Sequence, residues 1–423
     1  MLTKELYDKY VQILSEELVP AMGCTEPIAI AYAGAKARQV LGEEPIKAII
    51  EVSGNIIKNV KSVIVPHTGG LRGIEAALAA GLAVGDADAV LEVLSGVKED
   101  EVGLIKSFME RCEIKVLKSS GQCVFEIVVR LTGKNHNSYI KLTETHTNVV
   151  CIMKDGQILY ENNTIAQVKK EDRSCLSVEN IVEFASTVKI SDVEKIIDRQ
   201  IEYNMAIANE GITNNYGANV GKVYLKAFPN DVKIKAKAFA SAGSDARMNG
   251  CEMPVIINSG SGNQGITASV PVIIYAKENG IDREKLIRAL VVSNLVTVHL
   301  KTGVGTLSAY CGVVSAGAGA GAGISYLLGG DYAEIAHTVV NALAIDSGVI
   351  CDGAKGSCAA KIAIAVESGI LGLEMYKLGN EFMSGDGIVK KGVERTIESV
   401  SKVASQGMKE TDQEIIRIMT EDL

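Results

Sequence analysis

Tryptophan is absent from the 423 residues, and aromatic side chains supply only 4% of them. A core with so few rings must be filled by aliphatic side chains and by backbones that approach closely, which is what 42 glycines allow. An excess of positive charge is also missing. The formal net charge of -8 argues against nucleic acid as a main partner, because polyphosphate binding needs a basic surface. The start, Met1-Leu-Thr-Lys-Glu-Leu-Tyr-Asp-Lys-Tyr10, carries charges where an export signal needs an apolar run, so the expectation is a cytoplasmic protein. The longest uncharged run, Thr302 to Gly330, is too rich in Gly and Ser for a membrane span and is followed at once by Asp331 and Glu334. It reads as a buried helix with close neighbours. The nine cysteines are odd in number and form no disulfide framework, so reduced thiols are expected. Short Cys-x2-Cys pairs are lacking, unlike zinc ribbons, and so is a Gly-x-Ser-x-Gly nucleophile elbow in a strand-turn-helix setting.

Against these absences stands one dense stretch, His299 to Cys358. It opens on His299-Leu-Lys-Thr-Gly-Val-Gly-Thr-Leu-Ser-Ala-Tyr-Cys311-Gly and closes on Cys351-Asp-Gly-Ala-Lys-Gly-Ser-Cys358. Three cysteines lie in or beside glycine-rich turns, where a sulfur can face something other than a packed core. Three thiolates can hold an iron–sulfur cluster and leave one iron open to a substrate. Cys112, Cys123, Cys151, Cys175 and Cys251 read instead as small hydrophobes.

Earlier in the chain, Ala-Met-Gly-Cys24-Thr-Glu-Pro27 precedes a helix through about Val40, with Thr25 as an expected N-cap and Pro27 in the first turn. A cysteine just ahead of a helix N-terminus is favoured as the thiolate; a buried cysteine in a turn is the alternative. Apolar segments at 46–52 and 62–66 end in Ser53-Gly54-Asn55 and His67-Thr68-Gly69-Gly70, turns of the kind that carry ligand groups. Between about Lys98 and Ser174 a helix (99–111) is followed by alternating segments at 113–117, 123–132, 138–145, 148–154 and 157–161, with Asp155-Gly156 as a hairpin signal. Further on, Asn258-Ser259-Gly260-Ser261-Gly262-Asn263-Gln264 runs from an apolar segment into a helix. Such a loop can cradle a carboxylate or a phosphate, and a tight structural turn fits equally well. Pyridoxal phosphate held by this loop, with Lys301 or Lys355 as Schiff base, is a rival chemistry. A non-enzymatic protein with structural or zinc-binding thiols is another.

Taken together, Gly23-Cys24-Thr25-Glu26-Pro27, Ser53-Gly54-Asn55, Pro66-His67-Thr68-Gly69, Asn258 to Asn263, Leu307 to Cys311 and Cys351 to Cys358 make the chain resemble the L-cysteine desulfidase family, related to the alpha-chain domain of iron–sulfur L-serine dehydratases. The resemblance covers nearly the whole length. It implies a 4Fe-4S cluster on Cys311, Cys351 and Cys358, with Cys24 as proton acceptor. The activity implied is β-elimination of L-cysteine to pyruvate, ammonia and sulfide, with L-serine as the alternative substrate. Thr25, Glu26, Ser53, Asn55, Ser259, Ser261 and Asn263 are then candidate substrate contacts, with His67 and His299 as further candidates for binding or orientation.

The expected fold is α+β. A mainly helical catalytic domain is built from both chain ends (1–95 and 175–423), and a helix-plus-antiparallel-sheet module is inserted at 96–174. Partners are a small amino acid and neither nucleic acid nor membrane; close helix pairing is compatible with a homo-oligomer.

Overall fold

A computed structural model describes residues 2–23, 25–121, 123, 125–162, 171–229, 231–305 and 308–421. The architecture is α+β and mainly helical, with two apolar cores. Among the described residues no helix is long and apolar enough to cross a membrane.

The larger core joins both ends of the chain. Tyr10, Ile13, Leu14 and Leu18 of the first helix (Lys4–Glu17 and its C-cap) pack with residues from Leu176 to Ala404. Strand β1 (Pro20–Met22) then pairs antiparallel with a strand far along the chain, Pro254–Ile256. The smaller core is a mixed sheet covered by the helices Thr25–Leu41, Gly73–Ala83 and Val102–Arg111. Its strands are β2 (Lys47–Val52), β3 (Glu113–Lys118), β4 (Glu126–Thr132), β5 (Asn137–Thr143), β6 (Val149–Lys154) and β7 (Gln157–Glu161), in the order β3-β2-β4-β5-β6-β7. The antiparallel run β4 to β7 follows the alternation in the sequence. The pairing of β2 with β3 is parallel, however, so the sheet is mixed rather than wholly antiparallel. Because β2 lies inside this sheet, one apolar core holds residues from both sides of residue 95. That pairing joins segments some sixty residues apart, and local pattern carries no trace of it.

Two further segments differ from expectation. Ser53 is not the end of a loop: it is the N-cap of a short helix, Gly54–Val60. Thr25 is the first residue of its helix rather than the cap before it.

The Gly/Ala run forms the helix Gly312–Leu327, packed among four others. A Cβ on Gly317 would stand 2.2 Å from the carbonyl oxygen of Ala365, and one on Gly321 would stand 2.7 Å from that of Gly369. Both partners lie forty-eight positions on, so this helix and Cys358–Lys377 run parallel. On the opposite face Gly319 meets Thr297 and Ser293, and Gly323 meets Ser293 and Ala289, so Arg283–Val304 runs antiparallel to it. Alternate glycines thus serve alternate neighbours, since residues two apart lie about 200° apart around a helix. Gly317→Ala forces a methyl group against backbone that has no rotamer to move. A loss of about 1–3 kcal/mol is expected, read as a lowered thermal midpoint; an unchanged midpoint would mean that the two helices are not in this close register.

Candidate active site

The parallel helix pair sets the geometry of the cysteines. The offset of forty-eight residues puts Cys311, the N-cap of one helix, beside Cys358, the first residue of the other. Two helix N-termini, each with partial positive charge, therefore open side by side at a cysteine. The third cysteine arrives through a short antiparallel bridge, Tyr310 to Ile350, in which the Cys311 N–H donates to Val349 O at 3.0 Å and the Cys351 N–H to Ala309 O at 2.5 Å. Cys311 and Cys351 flank this bridge, close enough for each thiol to shift the other's titration. Cys358 is close enough for its charge to act on Cys311, and that of Cys351 acts on it in turn, but its Sγ is directed at Gly353 O, 3.6 Å away.

Electrostatics separates the three thiols. Cys351 is held below the usual thiol range, first by the neighbouring Cys311 and then, against the opposing effect of burial, by Lys58. Cys311 is raised for the reciprocal reason, aided by burial, and Cys358 is raised by burial. Lysines surround the group. Burial pulls Lys301 down to about 8, although the thiols of Cys351 and Cys311 favour its charge. Burial also disfavours the charge of Lys361, but Asp352, 2.5 Å from its Nζ, outweighs that and raises its pKa. Lys355 pairs with the same carboxylate.

As a donor set for a cluster, three thiols gathered at helix N-termini among cations are chemically suitable. As placed, two of the three face one another, and no group of three His, Cys, Asp or Glu side chains among the described residues is arranged to hold a metal ion. All eight cysteines described are free thiols.

The Gly/Ser loop lies across from this region. Positive φ at both Ser259 and Gly260, with Asn258 and Ser261 exchanging backbone hydrogen bonds, makes it a two-residue hairpin turn of the type I′ kind. Ser261 caps the helix Gly262–Glu278. Beneath the turn a fully buried amide network fixes Asn258: its Nδ2 donates to Asn294 Oδ1, and Asn294 and Gln200 bond each other. Gln264 packs on Gly312, next to Cys311, with its Oε1 buried and unpartnered.

The profile of the serine dehydratase alpha chain matches residues 88–417. A UPF0597 protein of Desulfitobacterium hafniense is 59% identical over 417 residues, 98% of this chain and 96% of its own. Those of Lachnoclostridium phytofermentans and Treponema denticola are 51% and 48% identical, over 98% and 100% of this chain and all of theirs. The chain belongs to the serine dehydratase alpha-chain family. The matched span contains all three clustered cysteines, and the relationship suggested by the sequence motifs holds at this level.

In this serine dehydratase-like chain the other candidate residues are engaged in several separate contacts. Cys24 lies outside the described residues. Thr25 Oγ1 donates to Glu26 Oε2 at 3.4 Å, and Glu26 Oε1 accepts from Asn59 Nδ2. Ser53 Oγ accepts the Glu126 N–H, whereas Asn55 Oδ1 is buried without a partner. Ser259 Oγ donates to Asn258 Oδ1, and Asn263 Oδ1 accepts from Arg247. His67 sits at positive φ against Glu252, 3.2 Å from its Nδ1. His299 is turned about 200° from Lys301 around their common helix and pairs with Glu394 at 2.7 Å, on the side away from the thiols. Sequence reasoning missed Arg247, Gln264 and Lys58. Arg247 ties the loop to the segment before Cys24, because it bonds both Asn263 and Gly23 O. A lone lysine in the apolar run Ile56-Ile57-Lys58 was the available signal for the last. Two surface hollows, of about 350 and 400 Å³, are lined by other residues, among them Arg38 and Arg288.

Proposed function

We propose that the protein is a lyase that eliminates sulfide from L-cysteine, giving pyruvate and ammonia, with a 4Fe-4S cluster on Cys311, Cys351 and Cys358. The observation that carries the reading is the convergence of these three thiols at two parallel helix N-termini. When bound, the cluster would supply an open iron, a soft Lewis acid for a leaving sulfur.

The chain's own groups take the remaining roles. Cys24, as thiolate, accepts the proton from Cα; the Cα–H electron pair forms the Cα–Cβ double bond as the Cβ–S bond breaks and sulfide departs. The resulting 2-aminoacrylate tautomerises to an imine, which water hydrolyses to pyruvate and ammonium, with no net oxidation or reduction. Thr25, Glu26, Ser53 and the turn at Ser259, Ser261 and Asn263 are assigned to holding the substrate. Asn55 and Gln264 support this assignment with buried carbonyl oxygens free to accept from its ammonium group. His67 and His299 already engage carboxylates, which suits orientation rather than proton transfer.

Dehydration of L-serine is the second reading, favoured by the family match. The deciding experiment supplies L-cysteine and L-serine in parallel to anaerobically reconstituted protein and measures iron, sulfide and pyruvate. Sulfide and pyruvate from cysteine are expected. Pyruvate mainly from serine would keep the site and change the substrate, and protein that takes up no iron would overturn the cluster.

A further inference from the structure

Among the described residues Lys58 is the most deeply buried lysine. Its residue is 2% exposed, it sits in the short helix Gly54–Val60 beside the sheet, and its Nζ is 2.6 Å from Asp412 Oδ1. Burying an ammonium group is costly unless a counter-charge is close. Asp412 provides one, but from the last helix of the chain, Lys409–Thr420, and from a half-buried position. That helix is seated on the short one: Ile416 fills the space above Gly54, and Lys61 Nζ donates to Met419 O at 2.7 Å. On its other side the Lys58 backbone touches the cysteine loop. A Cβ on Gly353 would stand only 1.8 Å from Lys58 O, and Gly353 has a positive φ of 93°. A glycine two residues after Cys351 is what allows the loop to lie against this helix.

The cation is thus held between the C-terminal helix and the cysteine loop, with its stem against Gly353, two residues from Cys351. We propose that Lys58 is a positioning residue that supplies a fixed counter-charge to the three-cysteine site, and that Asp412 of the C-terminal helix holds it there. The proposal rests on the cluster reading above. A 4Fe-4S core on three thiolates carries net negative charge, and a dry cation nearby stabilises it, more so in its reduced state.

The test compares Lys58→Met and Asp412→Asn with the wild type after anaerobic reconstitution. It reads iron and sulfide per chain, the rate of iron loss to a chelator, and the midpoint potential of the cluster. Lys58→Met is expected to lose iron about 10-fold faster or more, as outer partners of metal ligands commonly do when replaced, and to have a lower midpoint potential. Asp412→Asn, a change near the surface, should move both readouts in the same direction by less. A merely structural lysine would leave the potential of any bound cluster where it was. Wild-type iron retention and potential in Lys58→Met would overturn the proposal while leaving the cluster in place. A wild type that binds no iron would instead overturn the cluster reading, and the proposal with it.

Discussion

Cys351→Ala is expected, on the cluster reading proposed above, to leave the reconstituted protein without iron and to lower any elimination activity by more than about 100-fold, since even partners one step removed from metal ligands commonly cost 10–100-fold. Cys351 is the sensitive choice because its thiol is the one already biased toward the thiolate, the form that binds metal. Cys311 is shifted upward and Cys351 downward by one another, so the two titrate as a pair. Removing Cys351 leaves Cys311 buried without its partner thiol. Cys112→Ala and Cys251→Ala provide the contrast. Both residues are buried in apolar surroundings that raise their pKa, so they should keep the wild-type iron content and lose only stability. Iron and acid-labile sulfide per chain, measured after anaerobic reconstitution, decide the matter. Full iron in Cys351→Ala would remove this residue from the ligand set.

How far the sequence carries depends on the range of the interaction involved. The strands from 113 to 161 were legible because alternation and a turn dipeptide are local signals, and they recur as β3 to β7. The close packing of the Gly/Ala helix was legible from composition, since a residue without bulk leaves little else to fill the space. The partnership of β2 with β3 was not, nor was the helix Gly54–Val60, whose seven residues are too few to display a period. Spacing alone did not resemble a known metal motif for Cys311, Cys351 and Cys358; their glycine-rich turns marked them and the family resemblance gave them a role, and the parallel register of two helices brings Cys311 beside Cys358. Lys58 and Asp412, 354 positions apart, could only be paired in three dimensions. The same holds for Arg247, which reads as an ordinary helix end and yet reaches both the Gly/Ser turn and the carbonyl before Cys24.

The second large effect is on stability and turns on pH. Asp346 ends the helix Tyr332–Asp346 with both carboxylate oxygens buried and unpartnered, and burial pushes its pKa up to about 8. The folded protein therefore keeps this proton over a range in which the unfolded chain, with a carboxyl near 4, has released it. Stability from the protonated acid is fully present below about pH 4 and is lost as pH rises through about 8. A shift of this size corresponds to at most about 6 kcal/mol, an upper bound because burial is incomplete and water can enter. Asp346→Asn removes the titration while keeping size and polarity. Its thermal midpoint, measured on cluster-free protein so that cluster loss does not intrude, should match the wild type near pH 4 and exceed it by a growing margin toward pH 8. A margin that does not change with pH would show that Asp346 is not held neutral in the fold. The location gives the effect a functional reach. The backbone carbonyl of Asp346 accepts the N–H groups of Gly348 and Val349, and Val349 O accepts in turn from Cys311. Charge forced onto Asp346 loads the turn that keeps Cys311 beside Cys351, so alkaline pH should loosen the cysteine site before it unfolds the sheet, whose core lies elsewhere.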